Sequence, residues 1–138
     1  MSAELRFIDT NVLVYLFDAD APAKQAIARE LVAAGRLVLS SQVLSEFYVT
    51  VTRKLARPLD PVRAGRAVAD LCALPIRDVT AHLVQSAIRR CAATPLSYWD
   101  ALILETALDA GATTLLTEDL QHGQVVGTLR VHNPFLAS

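Results

Sequence analysis

The chain has 138 residues, 53% of them hydrophobic and 20% charged, a length and balance that suit one domain around a single core. Its five glycines and six prolines are too few for a disordered or fibrous chain. A formal net charge of −1 excludes a uniformly basic nucleic-acid coat, so any contact with RNA or DNA needs a local patch.

The opening MSAELRF lacks the basic and long apolar regions of a secretory signal, and no apolar run approaches bilayer-spanning length. A cytoplasmic protein is the expectation. Leu5 to Ile8 reads as a short buried strand, and Asn11 to Asp18 as a helix. Pro22 opens a second helix that ends near Gly35. Leu37, Val38 and Leu39 form the next strand, closed by Ser40 and Ser41. The stretch SSQVLSEFYVTVTRKL then places Val43, Phe47, Val51 and Leu55 along one helical face.

Pro58 and Pro61 break that helix before another over Val62 to Cys72. Leu74 to Ile76 is a third, weak strand, interrupted by Pro75. Helix resumes from Ala81 to Ala92, and Pro95 marks the next break. SYWDALILETALDA is helical and stops at Gly111. TTLLT is a strand, EDLQHG a turn, and Val125 to Val131 a last extended segment. Strands alternating with helices predict a three-layer α/β/α sandwich with a central parallel sheet, in one domain over residues 1–138. Cys72 and Cys91 fall in helices without metal-binding or redox spacing, and read as buried thiols.

The acids carry the chemistry. In open parallel sheets ligands bind beyond the carboxyl ends of the strands. Asp9 follows the first strand, and Asp119 stands just past TTLLT. Glu46 in SSQVLSEF and Asp100 in SYWDAL lie near the starts of helices that can face the same edge. Each has an ordinary structural role open to it. Asp9 can cap a helix, Asp100 can complete a capping box with Ser97, Glu46 can edge an amphipathic helix, and Asp119 can sit in a turn. Together they would repel one another unless a cation neutralised them. Carboxylate oxygens suit Mg²⁺ or Mn²⁺, and His82, His122 and His132 are too scattered for a zinc set. An acidic crevice holding such a cation points to phosphate chemistry.

FIDTNVLVY, SSQVLSEF, SYWDALILETA and LLTEDLQHG together resemble, in order, the motifs of PIN-domain nucleases, especially VapC-like toxins, over about Phe7 to Phe135. The resemblance implies a parallel α/β/α sandwich, usually a homodimer, that cleaves RNA with Mg²⁺ or Mn²⁺ until a cognate antitoxin restrains it. It also implies that the catalytic and metal-binding acids are Asp9, Glu46, Asp100 and Asp119, with Asn11 supporting Asp9 and Thr117 arranging Asp119. Between the neighbours Glu118 and Asp119, the T-x-D spacing and an extended chain past Thr117 favour Asp119, leaving Glu118 as a solvated turn residue.

Other classes fit less well. A haloacid-dehalogenase-type phosphatase needs a second acid where Asn11 stands. A response-regulator receiver needs a late lysine, and the lysines are Lys24 and Lys54. No glycine-rich nucleotide fingerprint is present. A PIN-type nuclease of RNA processing or structured DNA, and a non-catalytic α/β interaction module, remain as alternatives. Arg53, Lys54 and Arg57, or Arg89 and Arg90, could touch RNA, and Tyr48, Tyr98 and Trp99 could stack on bases. Complementing a helix C-terminus explains the basic residues equally well, and packing beside a helical core is the more common role for such aromatics.

Overall fold

A strand with neighbours on both sides and helices on both faces has no polar face to show, and Phe7 and Ile8 are accordingly fully buried in β1 (Arg6–Ile8). The computed structural model describes residues 4–136. β1 pairs in parallel with β2 (Leu37–Ser40) and β4 (Thr114–Leu116). The six-stranded sheet has the order β3-β2-β1-β4-β6-β5, with β3 at Ile76–Arg77, β5 at Val125–Val126 and β6 at Leu129–His132.

Helices flank this sheet: α1 (Thr10–Val14), α2 (Pro22–Ala33), α3 (Ser41–Arg53), α4 (Pro61–Leu71), α5 (Ala81–Ala93) and α6 (Tyr98–Asp109). On α3, Val43, Phe47 and Val51 recur every four residues and are fully buried against the sheet. Burying a side chain the size of Phe47 contributes about 1.5–3 kcal/mol. At the end of α2, the Arg6 guanidinium donates to the carbonyls of Leu31 (3.0 Å) and Gly35, satisfying groups that the helix itself leaves open. α5 packs on α6 through a separate small cluster of Leu83, Ala87, Ala101 and Leu102. Among the described residues, no helix is long and apolar enough to cross a membrane.

The α/β sandwich is as the alternation of elements predicts, with corrections at its margins. The last extended segment is a hairpin, so β5 runs antiparallel to β6 while the other pairings are parallel. Gly127, at φ 59°, lies in the left-handed region that a two-residue hairpin turn requires. The first helix ends at Val14, and a 3₁₀ turn continues it through Tyr15–Phe17. The third strand lies one step past Pro75, whose carbonyl still accepts a hydrogen bond from Leu39 N at 3.1 Å. Leu55 falls beyond the end of α3 and is only partly buried. The cysteines are not core thiols: Cys72 is exposed and Cys91 half-buried.

Candidate active site

Register delivers the first acid. Phe7 pairs with Leu115 and Ile8 with Leu116, so the next residues along the two parallel strands, Asp9 and Thr117, fall side by side. The Thr117 hydroxyl donates to Asp9 Oδ2 at 2.8 Å, and Thr10 N donates to Asp9 Oδ1 at 2.7 Å. Asp9 therefore does cap α1, and the cap holds its carboxylate at the carboxyl edge of the sheet. Burial pushes the Asp9 carboxyl up to about 7; the Thr117 and Thr10 hydrogen bonds pull it down, and the charges of Asp119 and Glu46 raise it further.

Glu46 stands on the second turn of α3. Ser40 Oγ, at the end of β2, caps that helix by accepting from Val43 N at 3.2 Å, which aims its early turns at the same edge. The Thr10 hydroxyl donates to Glu46 Oε1 at 2.8 Å, and Gln42 Nε2 donates to Glu46 Oε2 at 3.3 Å. Asp100 lies in the first turn of α6, capped by Ser97 Oγ, which accepts from Asp100 N at 3.1 Å. Burial raises the Asp100 carboxyl, the Ser97 hydrogen bond opposes this, and the charge of Asp119 adds to the rise.

Asp119 and Glu118 part company just past β4. The chain bends rather than staying extended, and the Thr117 hydroxyl accepts from Asp119 N at 3.1 Å. Asp119 lines the cleft that Asp9 occupies. Glu118 turns toward α2, where Lys24 Nζ meets Glu118 Oε2 at 2.8 Å and the Tyr15 hydroxyl donates to Glu118 Oε1. Lys24 also sits 4.8 Å from the Tyr15 ring centroid and 5.4 Å from that of Phe135. Burial pushes Glu118 up, but the hydrogen bonds from Lys24 and Tyr15 outweigh it and hold the carboxyl below its ordinary value. Glu118 is thus a paired residue and not a solvated one. Asn11 ties the strand ends together, donating from Nδ2 to Thr117 Oγ1 and accepting from Glu118 N, both at 3.3 Å.

Asp9, Glu46, Asp100 and Asp119 line one cleft of about 900 Å³. Its walls include Asn11, Gln42, Val49, Lys54 and Trp99. Among the described residues, no three His, Cys, Asp or Glu side chains stand close enough together to form a metal-binding group. The acids share a cleft, then, but not a tight shell. The donor chemistry nonetheless fits a hard divalent cation, because the acids offer only carboxylate oxygens and two of them carry raised pKa values that a positive charge would relieve.

The remaining candidates divide. Lys54 lines the cleft, whereas Arg57 is exposed and reaches Asp20 at 3.7 Å. Arg90 pairs with Glu105 at 3.4 Å. Tyr98 and Trp99 both reach the cleft, but Tyr48 does not line it. His122 and His132 are neighbours in space, with ring centroids 5.1 Å apart, away from the acids. Sequence reasoning passed over Gln42, although its place four residues before Glu46 on one helix puts the two in reach. Thr10 and Lys24 gave no such signal, since their partners are distant in sequence.

Solved structures resemble this architecture at low sequence identity. The sarcin–ricin-loop-cleaving toxin VapC20 of Mycobacterium tuberculosis is 22% identical and superposes with a TM-score of 0.67, covering 83% of this chain and 89% of its own. A toxin–antitoxin complex from Klebsiella pneumoniae gives 19% identity and 0.71, covering 94% and 98%. DNA-bound VapBC from Salmonella typhimurium gives 19% and 0.67, covering 96% and 99%. No curated protein matches the sequence. The PIN-domain family model matches residues 6–127, which take in five of the six strands and all the cleft acids, and the chain belongs to the PIN-domain family.

Proposed function

We propose that the protein is an endoribonuclease that hydrolyses RNA phosphodiester bonds with Mg²⁺ or Mn²⁺, acting in the cytoplasm as the toxin of a toxin–antitoxin pair. The observation that carries this is the gathering of Asp9, Glu46, Asp100 and Asp119 around one cleft at the carboxyl edge of a largely parallel sheet. Those four carboxylates would hold the cation, with Asp9 and Asp100 as direct ligands and Glu46 and Asp119 completing the set directly or through water. Once bound, the cation supplies a Lewis acid for a phosphate oxygen and makes water more acidic.

The chain's own groups do the positioning. The Thr117 hydroxyl serves two acids at once, donating to Asp9 and accepting from the backbone of Asp119. Thr10 and Gln42 fix both oxygens of Glu46. Asn11 links β4 to α1 through Thr117 and Glu118, so the acids of separate strands keep one geometry. No nucleophilic side chain is required. The likeness to the Klebsiella toxin–antitoxin complex and to the Salmonella VapBC supports a cognate antitoxin as partner, and a homodimer is the assembly that the family resemblance implies.

The purified protein is expected to fragment RNA in Mg²⁺ or Mn²⁺ and to stop in EDTA. Cleavage that survives EDTA, or no cleavage with any divalent cation, would sink the reading. Expression in a bacterial host should slow growth, and co-expression of the neighbouring antitoxin should restore it. Harmless expression of an active nuclease would instead favour the RNA-processing alternative.

The neighbouring acids past β4 give a sharper test. Asp119→Asn should lower the metal-dependent rate about tenfold or more, at least ~1.4 kcal/mol of barrier. Glu118→Gln should change it little, because Glu118 is engaged with Lys24 and Tyr15. The opposite pattern would reassign the working acid.

A further inference from the structure

A buried glutamine is satisfied only when both ends of its amide find partners, the nitrogen as donor and the oxygen as acceptor. Gln42, in the first turn of α3, is only 9% exposed and meets half of that demand. Its Nε2 donates to Glu46 Oε2 and to the Trp99 carbonyl, both at 3.3 Å. Its Oε1 is buried and, among the described residues, meets no donor. Turning the amide over would set Oε1 against two acceptors, so the bonds of the nitrogen dictate that the oxygen goes unpaired. A buried, unpaired carbonyl costs free energy that an apolar side chain of the same size would not. What an apolar side chain cannot supply is the pair of N–H groups, and these reach two parts of the cleft at once.

Those two parts stand on different foundations. Asp9, Glu46 and Asp119 extend from β1, α3 and the end of β4, whose Ile8, Val43, Phe47 and Leu116 lie in the main core. The start of α6 packs instead on α5, through Ala101 and Leu102 in the separate small cluster. Asp100 therefore rides on a unit apart from the other three acids. Among the described residues, the bond from Gln42 to the Trp99 carbonyl is the one hydrogen bond that joins the first turn of α6 to the elements bearing those acids.

We propose that Gln42 is the positioning residue that holds Asp100 at its distance from the other three acids, and so sets the affinity of the cleft for a divalent cation. This role rests on the nuclease reading above and deepens it by naming a side chain that tunes the cation site. The acids share a cleft without forming a tight shell, so the spacing of α3 and α6 decides how well one cation reaches both Glu46 and Asp100. A ligand already held in place loses less freedom when the cation binds, and that saving appears as affinity.

Gln42→Met keeps the length of the side chain and removes the amide. In EDTA it should melt close to the wild-type temperature, since the unpaired carbonyl disappears together with the two long hydrogen bonds. In calorimetric titration at pH 8 it should bind Mn²⁺ about tenfold more weakly. At limiting Mn²⁺ its kcat should fall in proportion while KM for RNA holds. Gln42→Asn, one methylene too short to span both partners, should show the same loss and serves if Gln42→Met does not fold. Thr10→Val removes the other donor to Glu46 but leaves the bond to α6, and should keep most of the affinity. If Thr10→Val weakens Mn²⁺ binding as much as Gln42→Met, Gln42 acts through Glu46 alone and the tie to α6 is refuted. Wild-type Mn²⁺ affinity in the Gln42 variants, with or without a lower melting temperature, reduces Gln42 to a packing role and leaves the nuclease reading standing. If the wild type itself binds no Mn²⁺, the cation site fails and this role fails with it.

Discussion

Asp9→Asn is expected to lower metal-dependent RNA cleavage by ~10³-fold or more, about 4 kcal/mol of barrier, with the fold intact. The amide keeps the shape and can still accept from Thr10 N, so the cap on α1 survives. What disappears is a negative charge at the one cleft acid that is fixed through both carboxylate oxygens and almost wholly enclosed. Single-turnover rates for the two proteins, with circular dichroism as the control on folding, decide the point. Cleavage by Asp9→Asn near the wild-type rate would remove Asp9 from the chemistry.

The same substitution should act on stability with the opposite sign. The folded-state pKa of Asp9 is raised from 3.8 to about 7, chiefly by burial. Between those values the native protein binds a proton that the unfolded chain has lost, so stability falls as pH rises through that window. The loss is complete above pH 7, where the native state holds a buried, unneutralised carboxylate. A shift of roughly three units corresponds to at most about 4 kcal/mol. In EDTA, Asp9→Asn should therefore be more stable than wild type at pH 8, and the two should converge toward pH 4. Saturating Mn²⁺ should reverse the order at pH 8, because only the wild type gains binding free energy in its native state. Urea midpoints across pH, with and without Mn²⁺, measure this. Parallel curves for the two proteins would show that the Asp9 carboxyl is not perturbed.

Much of this arrangement is legible in the sequence where local chemistry and fold agree. Phe7 and Ile8, like Leu115 and Leu116, are apolar because the strands are covered on both faces, and the acid or hydroxyl after each pair, Asp9 or Thr117, marks where the chain leaves the sheet. The periodicity of Val43, Phe47 and Val51 fixes the buried face of α3 and with it the end that carries Glu46. The hairpin of β5 and β6 had a signal in Gly127, but without a neighbouring Asn or Asp the segment read as one extended run. The choice of Asp119 over Glu118 rested on the T-x-D spacing and on an extended chain, whereas the structure separates the two acids by a bend at the Thr117 hydroxyl. Lys24, ninety-four residues from Glu118, could not be paired with it from sequence, since no local rule connects α2 to the turn after β4. The histidines show the same limit, because β6 alone brings His132 back to His122.

Calorimetric titration of the purified protein with Mn²⁺ tests the central claim, that the cleft acids form a cation site, most directly. At pH 8 the wild type should bind Mn²⁺ saturably, with no proton released from Asp9. At pH 6 binding should be weaker and should release close to one proton, read from the dependence of the heat on buffer ionisation enthalpy, because the cation then displaces the proton held on Asp9. Asp9→Asn should lose both the affinity and the proton release. Absence of Mn²⁺ binding by the wild type at pH 8, or binding that Asp9→Asn leaves unchanged, would contradict the account.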